Sequence, residues 1–198
     1  MPDRYDTNPS EGELLPNRLG LTDPGEINKE EAIGFLRAEQ AAIDTLAADT
    51  LFSLDYLYTL HRDALGHLYD FAGRLRTVNL SKGGFLFAAA NVLPAVMREF
   101  GREYLEPLAS PGLEDDAALL DHLAALHAEL LHIHPFREGN GRVIRLFTKL
   151  IFLAKTGEEL DFELLTREGN FDRYVTAVQQ AVNKDYRLMR ELFREMNA

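Results

Sequence analysis

The sequence predicts an all-α fold, a helical bundle that carries one short β-hairpin. Apolar residues recur at helical spacing through most of the 198 residues. The segment 75–87 departs from that spacing and contains residues that favour strands and a tight turn. Because this length suits one hydrophobic core, we expect an extended lead-in over residues 1–27 and a single domain over residues 28–198.

The first two helices have recognisable starts. One should begin near Asn28 and run to about Ala48, with Glu30 and Glu31 placed favourably against the helix dipole in its first turn. Ser53 is a residue type that caps helix N-termini, so we expect a second helix directly after it.

The predicted hairpin follows the second helix. Thr77 and Val78 favour an extended strand, and Gly83-Gly84 is typical of a tight turn before Phe85. We therefore expect a short hairpin that protrudes from a helical body.

Five helices should follow the hairpin. Pro111-Gly112 and Gly157 interrupt the helical pattern and separate three of them. The helices are expected over residues 91–108, 113–132, 142–156, 170–184 and 186–196.

Composition excludes several classes of function. The chain has no cysteine, which rules out thiol chemistry, disulfides and zinc–thiolate sites. A formal charge of −11 disfavours nonspecific nucleic-acid binding and offers no basic patch for a membrane surface. The N-terminal segment has no apolar core of signal-peptide type, and no stretch has the roughly 20 apolar residues of a membrane span. These features predict a soluble cytoplasmic protein.

The most informative segment joins two of the predicted helices, between His134 and Arg145. Pro135 ends the incoming helix at about His134, and the next begins near Gly141. The connecting loop therefore ends at a helix N-terminus, where free N–H groups and the helix dipole attract an anion. Gly139 and Gly141 can turn successive N–H groups inward as an anion-binding nest.

Several side chains of the same segment are of types that bind a polyphosphate and its metal ion or accept a proton. Arg142 and Arg145 lie one turn apart on one helix face and can each grip phosphate oxygens. Glu138 is a hard oxygen ligand of the kind that Mg²⁺ prefers. The imidazole of His134 lies at the mouth of the loop and can accept a proton from an incoming hydroxyl.

In this order the residues resemble the signature of the Fic family, HPFx(D/E)GNGRxxR, and every fixed position is present from His134 to Arg145. The resemblance extends over most of the chain. Further similar segments are 15–20, 60–61, 69–73 and 75–82.

This resemblance implies an enzyme that transfers AMP from ATP to a Tyr, Thr or Ser hydroxyl of a target protein and releases pyrophosphate. His134 is expected to take the hydroxyl proton, and Glu138 to hold Mg²⁺ that bridges the phosphates. The remaining motif residues are expected to bind the phosphates: the backbone of Gly139, Asn140 and Gly141, the Asn140 side chain, Arg142 at the β/γ-phosphates, and Arg145 at the γ-phosphate.

Other positions receive roles by the same resemblance. The hairpin is expected to act as a flap that docks an extended target segment along a strand edge, through Val78, Asn79, Leu80 and Lys82. Tyr174 and Tyr186 are expected to contribute to an adenine pocket. Phe136 should anchor the loop in the core, and His61 should pack behind it.

Inhibition in this family involves a glutamate in the pattern (S/T)xxxE(G/N), which pairs with the second motif arginine, here Arg145. A scan gives one match, with Glu11 in the segment 7–12, although its surroundings do not favour a helix. The alternatives are a separate small antitoxin chain, which would make this protein the toxin half of a pair, or a different form of regulation.

Two other functions stay open. The chain could transfer a different phosphate-containing group, although relatives that phosphorylate depart from GNGR and this chain does not. It could also be a catalytically silent binding module, which would predict the loss of His134, Glu138 or Arg142. A histidine metal site is disfavoured, because His127 and His132 are five residues apart and do not share a helix face.

Overall fold

The computed structural model describes residues 14–110, 112–113 and 115–197. Within these ranges the fold is helical with one two-stranded antiparallel hairpin, which confirms the predicted fold class. The elements are α1 (Pro24–Asp44), α2 (Leu54–Leu65), β1 (Ser81–Lys82), β2 (Phe85–Leu86), α3 (Leu93–Phe100), α4 (Asp116–Ile133), α5 (Asn140–Thr156), α6 (Asn170–Gln180) and α7 (Arg187–Met196).

Helix α1 begins four residues earlier than predicted. Asp23 caps it by accepting a hydrogen bond from the Glu26 N–H at 2.8 Å, and Pro24 occupies the first turn, where no N–H is needed. The helix ends at Asp44, before the predicted Ala48. Ser53 caps α2 as expected, accepting from the Tyr56 N–H at 3.2 Å.

Helix α4 runs through the centre of the core. It packs against α5 on one side and α7 on another, while α1 packs against α2. Most of its residues are buried, including Leu123, Leu126 and Leu130, each with no exposed surface. The junction between α4 and α5, which contains the predicted motif loop, therefore follows directly on a buried helix of the core.

The hairpin has a two-residue turn and short strands. Ser81 pairs with Leu86 and Lys82 with Phe85. The turn residues Gly83 and Gly84 have φ values of 55° and 79°, which a hairpin turn of the primed type requires and which glycine adopts without strain.

The helix predicted over residues 91–108 is irregular. A 3₁₀ turn over Ala90–Val92 precedes α3, a π-helix over Gly101–Leu105 follows it, and a second 3₁₀ turn covers Glu106–Ala109. Pro107 supplies no N–H for a regular helical hydrogen bond, so the α-helix cannot continue through it.

The segment predicted as a helix over residues 170–184 changes from α6 to a 3₁₀ turn over Ala181–Asn183. A further 3₁₀ turn at Phe162–Thr166 lies between α5 and α6. Across the described ranges, no helix combines the length and apolar character needed to cross a bilayer.

Candidate active site

His134 ends α4 in a left-handed backbone conformation, with φ 53° and ψ 64°. That conformation is unfavourable for a residue with a Cβ, so the surrounding contacts must hold it. Its ring Nδ1 lies 2.6 Å from the Leu131 carbonyl oxygen. Since a carbonyl only accepts, Nδ1 carries the proton and Nε2 of the neutral ring is unprotonated, the form that accepts a proton.

The His134 ring is buried beneath the flap. It is 7% exposed and stacks on Phe87, with the ring centroids 3.9 Å apart and the planes 17° apart. Burial, together with the positive charges of Arg76, Lys82 and His132, lowers the pKa of His134 to about 3, although the hydrogen bond to Leu131 opposes the shift. Near neutral pH the ring is therefore uncharged.

Asn140 shapes the loop from inside. Its Oδ1 accepts from the Phe136 N–H at 2.8 Å, and its Nδ2 donates to the Phe136 carbonyl at 2.7 Å. Asn140 has no exposed surface, so the phosphate contact predicted for its side chain is replaced by a structural one. The physical reason is that the turn leaves two buried main-chain groups that need partners.

His61 supports the same loop from α2. Its Nδ1 accepts from the Gly73 N–H at 2.8 Å, so its Nε2–H donates to the Glu138 carbonyl at 3.0 Å. The ring stacks on the fully buried Phe136 with centroids 3.9 Å apart, and burial lowers the pKa of His61 to about 4. The packing roles predicted for both residues agree with these contacts.

Gly139 leads into α5 with φ 74°. A Cβ at this position would lie 2.8 Å from Leu65 Cδ1 and 3.3 Å from Phe35 Cζ, so only glycine fits both the conformation and the space. The N–H groups in the first turn of α5 have no acceptor within the helix, which is the arrangement expected for binding an anion.

Arg142 is held by α1. Its Nη2 donates to Glu31 Oε2 at 2.6 Å, and its guanidinium carbon lies 4.8 Å from the centroid of the Phe35 ring. Glu31 is 5% exposed, and its other oxygen accepts from the Tyr69 hydroxyl at 2.6 Å.

Sequence reasoning missed the role of Glu31 and took it as a helix-start residue. A signal was present, because Glu31 lies four residues from Ile27 and four from Phe35, on the apolar stripe of α1. An acidic residue on such a stripe needs a partner in the core.

Glu138 lies beside this ion pair. Its Oε1 accepts from the Gly139 N–H at 2.7 Å and is 3.5 Å from Arg142 Nη2. Burial raises the pKa of Glu138, and the charge of Glu31 adds to the increase, while the Gly139 N–H and Arg142 oppose it.

The fit of Glu138 to a magnesium ion depends on the nucleotide. Within the described ranges, no group of three His, Asp or Glu side chains could hold a metal ion alone. Magnesium is commonly held by one or two carboxylates together with substrate phosphates and water. The single carboxylate of Glu138, next to the N-terminus of α5, fits such a shared site.

Arg145 and Arg142 line a groove of about 510 Å³ between α1, α5 and the segment 159–163. Lys149 continues the positive face of α5 into this groove, where its Nζ lies 2.9 Å from Glu39 Oε1 and 3.0 Å from Glu159 Oε2. The structure thus brings both motif arginines to one surface.

Comparison with known proteins is consistent with this geometry. A model of the Fic/DOC family matches residues 51–152, more than half of the 198 residues. The chain belongs to the Fic/DOC family.

Several relatives of this Fic protein are named protein adenylyltransferases. It is 27% identical over 164 residues to protein adenylyltransferase VbhT of Bartonella schoenbuchensis, an alignment that covers 82% of this chain and 33% of VbhT. It is 29% identical to the probable protein adenylyltransferase y4lH of Sinorhizobium fredii, covering 87% of this chain and 85% of y4lH. The chain thus spans about a third of the first relative and most of the second.

Solved structures show the same fold. BepC of Bartonella tribocorum, determined with bound AMPPNP, superposes with a TM-score of 0.75 at 20% identity, covering 94% of this chain and 93% of BepC. The FIC domain of Bep8 from Bartonella sp. 1-1C superposes with a TM-score of 0.78 at 18% identity, covering 96% and 93% of the two chains.

The flap of this Fic protein is held by hydrogen bonds that the sequence did not predict. The Val78 carbonyl accepts from Arg76 Nη1 at 2.7 Å, and Asn79 Oδ1 accepts from the Ala90 N–H at 2.9 Å. Leu80 is 2% exposed, so its side chain packs in the core, and its carbonyl accepts from the Phe87 N–H at 3.2 Å. Leu86, at 75% exposure, is the large apolar residue that the hairpin presents.

The two tyrosines predicted for an adenine pocket differ in their surroundings. Tyr174 is 4% exposed, and its hydroxyl lies 2.7 Å from His127 Nε2, which places its side chain in the core. Tyr186 is half-buried, and its hydroxyl donates to Glu129 Oε1 at 2.5 Å and lies 3.0 Å from the Tyr104 hydroxyl. Glu11, the possible inhibitory residue, lies outside the described residues.

Proposed function

We propose that this Fic protein transfers AMP from ATP to a hydroxyl side chain of another protein and releases pyrophosphate. The observation that carries the proposal is the neutral imidazole of His134, placed one short loop before the N-terminus of α5 and the Arg142 side chain. A proton acceptor, an anion-binding helix end and a cation are the groups that in-line attack on a phosphorus needs.

In the proposed reaction the target hydroxyl oxygen attacks the α-phosphorus of ATP. The new bond is oxygen to phosphorus, the bond between the α-phosphorus and the bridging oxygen breaks, and pyrophosphate leaves with that electron pair. The hydroxyl proton passes to Nε2 of His134, whose Nδ1–H stays on the Leu131 carbonyl.

Phosphate binding falls to the rest of the loop. The N–H groups in the first turn of α5 bind phosphate oxygens, Arg142 pairs with the β/γ-phosphates, and Arg145 supports the γ-phosphate. Glu138 would hold magnesium jointly with the phosphates, and the ion would neutralise part of their charge.

The flap supplies the surface for the target. An extended target segment adds main-chain hydrogen bonds along the edge of the hairpin, which brings its hydroxyl to His134 without a strict sequence requirement. The contact between Phe87 and the His134 ring supports this placement, because it joins the flap directly to the proton acceptor. The proposed docking positions, which act through their main chain, are Val78, Asn79, Leu80 and Lys82. The partly exposed Tyr186 is a proposed adenine contact.

We also propose that a separate antitoxin chain restrains the enzyme, which would then be a toxin. The groove beside Arg145 supports this proposal, because a helix seated there could place a glutamate on Arg145 where the γ-phosphate has to bind. The test is growth of cells that express the wild type or His134→Ala. Arrest by the wild type alone, relieved by the product of the neighbouring upstream gene, is expected. Normal growth with the unpartnered wild type would reject the toxin role.

The transferase proposal is tested by the position of a radioactive label. The purified protein is incubated with magnesium, a cell extract and ATP labelled at either the α- or the γ-phosphate. We expect a protein band labelled from α and not from γ, and absent with His134→Ala. Labelling from γ would indicate a phosphate-transferring enzyme, and no labelling from either position would favour a binding module.

A further inference from the structure

Arg76 links the flap to the proton acceptor. We propose that Arg76 is a positioning residue for the transfer reaction, one that fixes the distance between the docked target and His134. This inference rests on the proposed function. With 4% of its surface exposed, Arg76 is one of the most deeply buried charged residues in the described ranges.

The side chain of Arg76 binds two segments at once. On the motif side, its Nε donates to the His134 carbonyl at 2.8 Å and its Nη2 to the Ile133 carbonyl at 3.3 Å. On the flap side, its Nη1 donates to the Val78 carbonyl at 2.7 Å and its Nη2 to the Ala88 carbonyl. Its own backbone N–H donates to the Pro135 carbonyl at 2.9 Å.

The two flap contacts bracket the hairpin. Val78 precedes β1 and Ala88 follows β2, so one guanidinium holds both ends of the flap. Phe87, next to Ala88, stacks on the His134 ring. A shift of Arg76 would therefore move the target-docking edge and the proton acceptor relative to each other.

The buried charge of Arg76 is stabilised by main-chain carbonyl oxygens. Burial and the nearby positive charge of Arg137 together lower the pKa of Arg76 to about 10. The hydrogen-bond partners described above are carbonyl oxygens in place of a carboxylate. Two of them belong to the end of α4, where the last carbonyls lack helical partners and the helix dipole favours a cation.

That arrangement also explains the backbone of His134. A left-handed residue followed by proline is held in place by a donor on its carbonyl, and Arg76 supplies that donor. A carboxylate partner would have neutralised the guanidinium, but it would also have competed for the N–H groups that hold the loop. Within the described ranges, the hydrogen bonds of Arg76 reach neither the first turn of α5 nor the Arg142 side chain, so we expect a defect in transfer and not in ATP binding.

The test compares Arg76→Gln with Arg76→Lys and with Arg74→Gln, a matched change of an exposed arginine two residues away. Target labelling gives kcat and the KM for the target, and binding of ATP with magnesium is measured separately. In Arg76→Gln we expect kcat to fall about 100-fold, the typical effect of a displacement near 1 Å, with ATP affinity within about 2-fold of the wild type. Arg76→Lys should recover about 10-fold of that loss, because it restores the charge but not the fork of donors. Arg74→Gln should match the wild type.

The outcomes separate the inference from the proposed function. If the wild type transfers no label, the proposed function fails whatever the variants do. If the wild type is active and Arg76→Gln is as active as Arg74→Gln, the positioning role is rejected. Should Arg76→Gln fail to fold, Arg76→Lys decides: a lowered kcat with ATP affinity kept supports the role, and wild-type kinetics or a parallel loss of ATP binding overturns it.

Discussion

The two ends of the motif loop are held by opposite kinds of contact. At one end, His134 is fixed by a stacked aromatic ring, by the Leu131 carbonyl and by the cation of Arg76. At the other, Arg142 is fixed by the buried carboxylate of Glu31, with Glu138 3.5 Å away. The contacts at the first end bury the His134 ring in its uncharged form, and those at the second end pair the charged guanidinium of Arg142 with a carboxylate.

These contacts differ in whether a bound nucleotide can replace them. Main-chain carbonyls and packed rings around His134 are parts of the fold, so a nucleotide does not replace them. The contacts of Arg142 are ionic, and a phosphate offers the same chemistry as a carboxylate. We infer that the base is preorganised, whereas Arg142 exchanges Glu31 for a phosphate when ATP binds.

The largest effect is expected at the base. His134→Ala should reduce transfer by about 1,000-fold, within the range typical for loss of a general base. ATP affinity should stay close to that of the wild type, because other residues of the loop make the proposed phosphate contacts. Binding of ATP measured calorimetrically alongside labelling checks both parts. A parallel loss of ATP binding would show that the two ends of the loop are not independent.

The next effect is expected at the phosphate end. Arg142→Ala should weaken ATP binding by about 30-fold, since a charge-assisted hydrogen bond contributes about 2 kcal/mol. The variant also leaves Glu31 buried without its cation, so the free energy of unfolding should be measured with the binding constant. Lys149→Ala, a change of another α5 cation in the same groove, is the control and should have a smaller effect. Equal effects would mean that general positive charge binds the nucleotide.

Low pH should destabilise the protein, because His134 and His61 are buried in their uncharged form. Folding lowers the pKa of His134 to about 3 and that of His61 to about 4, from an ordinary value of 6.5. Between these values the unfolded chain binds more protons than the folded one, so stability falls as the pH falls below about 6.5. From pH 7 to pH 5 we expect a loss of about 2 kcal/mol for each of these histidines.

Urea unfolding at pH 7, 6 and 5 measures that loss. The His61→Gln variant should show a smaller slope, because the protonation difference of His61 is removed. A stability that is flat over this range in the wild type would contradict the buried, neutral state of these rings.

The smallest effect is expected from Glu31. Glu31→Gln should tighten ATP binding by about 3-fold, because the amide no longer competes for Arg142 or repels the phosphates. Glu26→Gln, an exposed acid of the same helix, should leave ATP binding unchanged. Weaker binding in Glu31→Gln would show that Glu31 positions Arg142 for the nucleotide and does not compete with it.

Several structural outcomes followed from local sequence. The break at Pro135, the turn at Gly83-Gly84 and the cap at Ser53 each depend on a few neighbouring residues and were predicted. The irregular segment around Pro107 and the early start of α1 at Pro24 were not, because helical spacing alone does not tell where a proline ends a helix or begins one. The sequence could not show whether the Asn140 side chain binds phosphate or the backbone, because an amide can do either. In the structure the side chain is buried and bonded to the main chain of Phe136.

By itself, the sequence determined the fold class, the family and the position of the motif loop, because these depend on spacing and on twelve consecutive positions from His134 to Arg145. Only the tertiary structure decided which residues hold that loop. Arg76 reaches the His134 carbonyl across 58 positions, and Glu31 reaches Arg142 across 111. Such pairs have no periodic signature, since a buried charge finds its partner by the packing of helices and not by distance along the chain.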